Sequence, residues 1–405
     1  MSKKYTNVLD LLQNFKINKQ PFDSKSKAVI TELFILFSQG ERKYEKIESK
    51  LKPLISDTFT ISNEFNYMSP EIQNEIKHMK GVEYKYDFTI DSNTFSIFLY
   101  TNTMDETTIK KYIKWIYIWL YIAKTYAKSN CSSELKIHLY LTKFKKILPM
   151  NGEIIGQEHA NTGYTMSCKQ NNEINIFREE EWFKVLIHES FHAFGLDFSE
   201  LDNTPHDGSN EILKLFKVSS DVNLFETYCE MWAELLNVMF IVYFNSSSDF
   251  YKNIDSLIHQ VENRIHNERL YSLFQCAKVL YHYKLDYKEL YEKSDIAQNK
   301  RERKYKEDTN VLSYYIIKSI LMFYINDYIH WCFDNNKTYT ELFTLQMKHT
   351  PDNIKKYCKF IEDHYNTTEY TSSLLLFENW FHNSKNANKI IPELYNTLRM
   401  TITNA

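Results

Sequence analysis

The sequence predicts an α+β fold: a small mixed sheet with two chemically marked helices beside it, and mostly helical additions at both ends. Three observations predict it. Period-two alternation is concentrated at residues 84–99, 135–141 and 173–178. Helical periodicity fills most of the remainder. Two successive helical patterns, 179–195 and 223–237, carry His and Glu among large apolar residues. The expected division is a helical region over 1–80, a core over 81–248 and a second helical region over 249–405.

Residues 1–80 read as helical and polar, with an amphipathic run near Lys27–Phe37. Tyr86-Asp87-Phe88-Thr89-Ile90 and Thr94-Phe95-Ser96-Ile97-Phe98-Leu99 flank Asp91-Ser92-Asn93, which predicts a hairpin. Thr107–Lys128 predicts a helix and Leu135–Leu141 a strand. Asn151-Gly152 opens a loop toward Asn161–Thr165, and Glu173–Arg178 alternates as a half-buried strand does. Either 161–166 or 173–178 is expected at the sheet edge. The polar connection 199–222 is expected to border a cleft. Beyond Asp249, helices are expected over Ile254–Tyr283, Asn310–Phe333, Asp352–His364, Tyr370–His382 and Ile390–Thr401. Lys300–Lys306 reads as a solvated face or linker.

The chemical signal is His188-Glu189-Ser190-Phe191-His192, which fits H-E-x-x-H. On a helix, residues four apart share a face, so two imidazoles there are placed to hold one zinc ion. Glu189 is then placed to act as general base on a water at that ion. Glu179, Glu180 and Glu181 fall where the first turn should lie, and carboxylates favour that end of a helix. Gly195 falls where a stop is expected, since glycine adopts the left-handed cap without a Cβ clash.

A catalytic zinc takes three protein ligands and keeps one position open. Six residues after His192 stands Phe198, which excludes a third His at that spacing; Asp197, one position earlier, is an Asp-ligand alternative. The next helix offers Glu226, Glu230 and Glu234 on one stripe among apolar residues, where carboxylates are costly unless a cation or donors receive them. Two registers are open. In the favoured one Glu226 is the ligand, Cys229 is the small residue allowing close helix approach, and Glu230 orients a ligand imidazole. In the other, Glu230 is the ligand, and Ala233 and Glu234 take those roles. Glu234 is expected to be a solvated residue. His206, Tyr164 and Tyr228 are candidates for steadying an oxyanion.

The formal net charge is −3, from 49 Lys+Arg against 52 Asp+Glu, so no electrostatic case for nucleic acid exists. Apolar residues make up 43% and aromatics 16%, enough for a substantial core packed on Tyr and Phe. Cys131, Cys168, Cys229, Cys276, Cys332 and Cys358 are scattered without a C-x-x-C pair and read as reduced, buried thiols of an intracellular protein. No apolar leader core follows Met1, and stretches such as Trp115–Ala123 and Leu235–Phe244 are too short to span a bilayer. A soluble protein without a membrane span is expected.

A helix donating Glu to a two-His helix is the gluzincin arrangement, and at these residues the chain resembles gluzincin metallopeptidases. Asn161-Thr162-Gly163-Tyr164-Thr165, the Glu181–Ser199 run and Phe225–Ala233 further resemble uncharacterised zincin-like proteins of giant DNA viruses. The resemblance covers about residues 150–245. It implies a zincin-type core, one zinc per chain, His188, His192 and a Glu of the second helix as ligands, and Glu189 as base. It implies no particular substrate beyond a peptide or protein. The abundance of Lys, Asn, Ile and Tyr, with only 7 Gly and 7 Pro, is compatible with an AT-rich viral genome, which would place the protein in host cytoplasm or virion. The expected function is zinc-dependent peptide-bond hydrolysis. The alternative is a zinc-binding, non-proteolytic structural, virion or host-interaction protein on the same fold.

Overall fold

The computed structural model describes residues 3–128, 130–150, 152–246, 253–337, 343–383 and 392–403. Asn151, Asp249 and Ile390, each an expected boundary, lie outside the described residues. The fold is mixed α+β with a small mixed sheet.

Helices α1 (Lys3–Gln13) and α2 (Ser24–Glu48) come first. The side chain of Asp23 accepts from the N–H groups of Lys25 and Ser26, which fixes the start of α2. Strand β1 (Leu54–Ser56) then interrupts the stretch expected to be helical, and α3 (Pro70–His78) follows with Ser69 as its cap and Pro70 in its first turn. The expected hairpin forms as β2 (Val82–Ile90) and β3 (Asn93–Thr101), with Asp91 at φ 50° in the turn. Helix α4 (Glu106–Tyr126) and strand β4 (Glu134–Thr142) match their expected spans closely. Strand β5 (Ile155–Gly156), the single turn α5 (Gln157–Ala160), β6 (Gly163–Thr165) and β7 (Asn171–Arg178) lead into α6 (Trp182–Ala193).

The six-stranded sheet has the order β1-β2-β3-β4-β7-β6. The β3–β4 and β4–β7 pairs are parallel and the others antiparallel. Alternation sorts its side chains onto two faces. Phe95, Ile97 and Leu99 of β3 and Leu135, Ile137 and Leu139 of β4 join the main core, which also receives α4 and α6. Phe98, Tyr100 and Tyr140 point the other way, into a smaller cluster closed by Phe65, Ile72 and Ile76. The edge is β6; 173–178 lies inside the sheet, so the two open possibilities resolve to the 161–166 stretch.

Helices α7 (Ser209–Leu215), α8 (Leu224–Asn245) and α9 (Ile254–His282) continue the chain. Then come α10 (Tyr287–Tyr291), α11 (Asp295–Lys304) and the two-residue strand β8 (Glu307–Asp308), which pairs with β5. The expected helix over Asn310–Phe333 is divided. A π-helical segment, Leu312–Ile317, runs into α12 (Lys318–Phe323), and α13 (Ile325–Asn336) restarts after Tyr324 leaves helical geometry at φ −106°, ψ 45°. Helices α14 (Pro351–His364) and α15 (Thr368–Asn383) match expectation. The expected helix through Thr401 does not form: α16 (Pro392–Asn396) is short, and residues 397–403 run without helix, with Leu398 through Thr403 buried.

One buried cluster runs from Leu12 to Ile402, so the three expected regions share a core. Helix α8 is its axis: almost all of Leu224–Val242 is buried. No helix among the described residues is long and apolar enough to cross a membrane.

The cysteine reading needs correction. Cys131 and Cys168 form a disulfide, while Cys229, Cys276, Cys332 and Cys358 are buried free thiols. The two partners are 37 residues apart and meet because the turns preceding β4 and β7 come together, where the Ser132 N–H donates to the Lys169 carbonyl at 2.7 Å. The Lys300–Lys306 reading needs a smaller correction: Arg301 is buried and donates to the carbonyls of Glu292 (2.8 Å) and Lys217 (3.2 Å).

Candidate metal centre

Helix α6 lies under β7 and β6 and against α8. Its C-terminus is closed by a Schellman motif: Gly195 sits at φ 63°, its N–H donates to the His192 carbonyl (3.1 Å), and the Leu196 N–H donates to Phe191 (2.8 Å). The glycine stop therefore stands as expected. The helix start does not. Trp182 is the first helical residue, no acidic residue occupies the first turn, and Glu181 at φ 61° makes no cap bond to its own helix. Its carboxylate instead faces the Lys146 ammonium at 2.6 Å and accepts from the N–H groups of Met400 and Thr401.

Three donor atoms converge where α6 faces α8. His188 Nε2 is 2.9 Å from Glu226 Oε2, His192 Nε2 is 3.6 Å from the same oxygen, and the two Nε2 atoms are 3.3 Å apart. Two ligands about 2.0–2.1 Å from a tetrahedral zinc lie roughly 3.3 Å from each other, so the triangle already has the size the ion requires. His188, His192 and Glu226 form a candidate metal-holding group.

The other ring nitrogens are engaged by carboxylates. His188 Nδ1 lies 3.2 Å from Glu230 Oε2, and His192 Nδ1 donates to Asp197 Oδ2 in a short contact. A carboxylate on Nδ1 puts the hydrogen there and turns the Nε2 lone pair outward, as a ligand imidazole needs. Each of these carboxylates is held in turn. Glu230 Oε1 accepts from Lys184 Nζ at 2.6 Å; Asp197 accepts from Ser199 Oγ (2.9 Å) and the Cys229 thiol (3.4 Å). The imidazole, imidazole and carboxylate donor set, with both outer carboxylates in place, fits zinc.

The electrostatics of these side chains by themselves follow from these contacts. Burial alone would push the His188 and His192 imidazoles down, but Glu226 and Glu230 around the first, and Cys229, Asp197 and Glu226 around the second, hold both above the ordinary range. The same imidazoles outweigh the burial cost at Glu226 and hold it well below the usual carboxylate range; at Glu230 the Lys184 ammonium is the larger partner. Glu189 differs: burial raises it, and the neighbouring imidazoles only partly oppose that. Its side chain lines the cleft and takes no hydrogen bond among the described residues.

The cleft has a volume of about 510 Å³ and is bordered by the β6 stretch, by Tyr67 and Phe177, and by Glu189 with the three converging donors. Gly163 is needed on β6, because a Cβ there would stand 2.8 Å from the Asn175 carbonyl oxygen and 3.0 Å from Val185 of α6.

The remaining expectations divide. Glu226 stands with the two Nε2 atoms in the donor triangle and Glu230 lies on His188 Nδ1, which is the arrangement of the favoured register. Asp197 orients His192 and does not join the donor triangle. Glu234 is not solvated: it is fully buried, pairs with Lys318, and burial raises its carboxyl well above the usual range. Tyr164 borders the cleft, with its hydroxyl donating to the Glu64 carbonyl at 2.7 Å. Tyr228 does not; it is buried and donates to the Leu345 carbonyl. His206 is exposed, and no residue of 199–222 borders this cleft. Two participants were not singled out from the sequence. Lys184, a lone cation four residues before His188 on an apolar helix, was legible as an anomaly. Tyr314 was not: its hydroxyl donates to Glu226 Oε2 at 2.9 Å, from the π-helical segment.

In comparisons with known proteins, no family model, no curated protein and no solved structure matches this chain.

Proposed function

We propose that the chain is a zinc-dependent peptidase with a zincin-type core, in which His188, His192 and Glu226 hold one zinc ion. The convergence of those three donors beside the Glu189 carboxylate, which takes no hydrogen bond among the described residues, carries the reading. Zinc at that position would polarise a peptide carbonyl and make water a stronger acid.

The chain's own residues supply the rest. Glu189 takes the proton of the attacking water and delivers it to the leaving amine. Glu230 and Asp197 hold the imidazoles in one tautomer. Tyr314 places a phenol hydrogen at the cleft, directed in this state at Glu226, and is the donor best situated to meet a developing oxyanion. The free side of β6 offers backbone groups to an extended peptide.

Elemental analysis of gently purified protein, combined with a peptide-library digest, tests the proposal. One zinc per chain and cleavage abolished by chelation are expected. Protein that stays metal-free in added zinc removes the premise, and zinc-loaded folded protein that cleaves nothing favours a structural role.

A further inference from the structure

Residues 397–403 are held as a bound peptide would be. Backbone pairing supports only the beginning of the segment: Ile147 bridges Thr397, and the Leu398 N–H donates to the Lys146 carbonyl at 3.0 Å. From there, buried side chains of α9, the π-helical segment and α12, with Glu181 just ahead of α6, receive the main chain. Glu181 Oε1 accepts the N–H groups of Met400 (2.9 Å) and Thr401 (2.7 Å). Glu268 of α9 accepts those of Ile402 (3.0 Å) and Thr403 (2.9 Å), together with the Thr401 hydroxyl. Tyr315 donates to the Leu398 carbonyl, and Lys318 to that of Met400 at 2.9 Å. Gln275 reaches the Arg399 carbonyl and Lys278 that of Thr397.

The segment also forms the rear wall of the metal centre. Met400 lines the catalytic cleft, and its sulfur lies 3.7 Å from Lys184 Nζ. Thr401, Ile402 and Thr403 line a second cavity of about 600 Å³ on the far side. Lys146 and Lys184 border both spaces. Two buried lysine–glutamate pairs, Lys146–Glu181 and Lys184–Glu230, lie beside this segment, and the second reaches His188. Undocking would leave Glu181 and Glu268 without four N–H donors and open both pairs to water. Lys318, which also pairs with Glu234, would lose its carbonyl.

We propose that residues 397–403 act as a separable peptide ligand of their own chain, and that their docking completes the metal centre. The proposal rests on the zinc reading above. It is the main chain of the segment that the groove recognises, through buried polar and charged side chains matched to its N–H and C=O groups.

The test uses the full chain with a protease site inserted within 384–391, cut after folding. The 392–405 fragment is removed by gel filtration in mild denaturant, and zinc affinity is read by chelator competition before cutting, after stripping, and after adding synthetic Pro392–Ala405 peptide. Stripping is expected to weaken zinc binding by about tenfold or more, the size seen when a ligand's outer partner is lost, and the peptide should restore it. Fluorescence anisotropy of a labelled peptide reads docking without metal. A peptide that does not rebind, or unchanged zinc affinity in the stripped protein, overturns the proposal. If the stripped protein unfolds, Ile402→Pro in the intact chain deletes one N–H donated to Glu268 and leaves every metal-facing residue in place. Weaker zinc binding then supports the proposal and unchanged binding overturns it. Intact protein that binds no zinc is a failure of the metal reading, and anisotropy then decides docking by itself.

Discussion

Lys184 Nζ lies 2.6 Å from one oxygen of Glu230, and the other oxygen of that carboxylate lies 3.2 Å from Nδ1 of His188. Both partners of the ion pair are 1% exposed. An ion pair this deep gains little over an apolar pair of the same shape, but losing one member strands the other. Lys184→Met should therefore cost roughly 3–5 kcal/mol in denaturant unfolding. It should also weaken zinc binding, because an unpaired Glu230 takes up a proton and no longer fixes the His188 tautomer. Wild-type stability and zinc affinity in the variant would show that the pair serves neither role.

Glu226 and Glu230 stand one helical turn apart and take different parts. Glu226→Ala removes a donor from the triangle and should empty the site. Glu230→Ala leaves all three donors and should weaken affinity by about 10–100-fold. Chelator competition on the two variants separates them; a filled site in Glu226→Ala with an empty one in Glu230→Ala would reverse the assignment.

The two-His helix, its glycine stop, the hairpin and the Glu-bearing helix were legible because each is written in local periodicity and capping. The choice of Glu226 over Glu230 was legible only as a preference. Which of the two stands beside the His188 and His192 Nε2 atoms depends on how α6 and α8 meet, a long-range fact. The same holds for Glu234, whose expected solvation fails because Lys318, 84 positions later, is buried against it. Strand β1 escaped because three residues, two of them exposed, carry no pattern of their own. Residues 397–403 escaped because their hydrogen bonds come from side chains in distant elements, and a run of Leu, Met, Ile and Thr reads equally as helix.

The Cys131–Cys168 disulfide holds together two stretches that cap α6. Ser132 Oγ donates to the Ala193 carbonyl at 2.7 Å, and the Cys168 N–H donates to that of His192 at 3.0 Å. Closing a loop of 37 residues stabilises by about 4 kcal/mol in the chain-entropy picture. Cys131→Ser/Cys168→Ser should lower the midpoint of denaturant unfolding accordingly, and phosphine reduction should do the same to wild type. Equal stability of oxidised, reduced and variant protein would show that the crosslink adds nothing.

Glu378, on α15, gives a pH signature of its own. Burial raises its carboxyl from 4.5 to about 7, although it accepts the Tyr287 N–H at 2.6 Å. A folded-state pKa above the unfolded one means the folded protein holds the proton more tightly. The associated stability is fully present below pH 4.5 and is lost as pH rises through 7. The span corresponds to at most about 3 kcal/mol. Glu378→Gln keeps an acceptor for Tyr287 and removes the titration. Unfolding measured from pH 4.5 to 8 should fall less steeply in the variant, and identical slopes would exclude Glu378 as the source.

Glu189 decides whether the centre performs chemistry. It lines the cleft beside the three donors yet stays outside their triangle, so its loss should spare the ion. Glu189→Gln preserves size and hydrogen bonding but cannot accept a proton. Removing a general base costs roughly 10²–10⁴-fold in rate. The variant should keep its fold by circular dichroism and its zinc by elemental analysis, while peptide cleavage falls by that factor. Cleavage at the wild-type rate would assign the base elsewhere. Loss of zinc along with activity would place Glu189 among the ligands and require a new reading of the site.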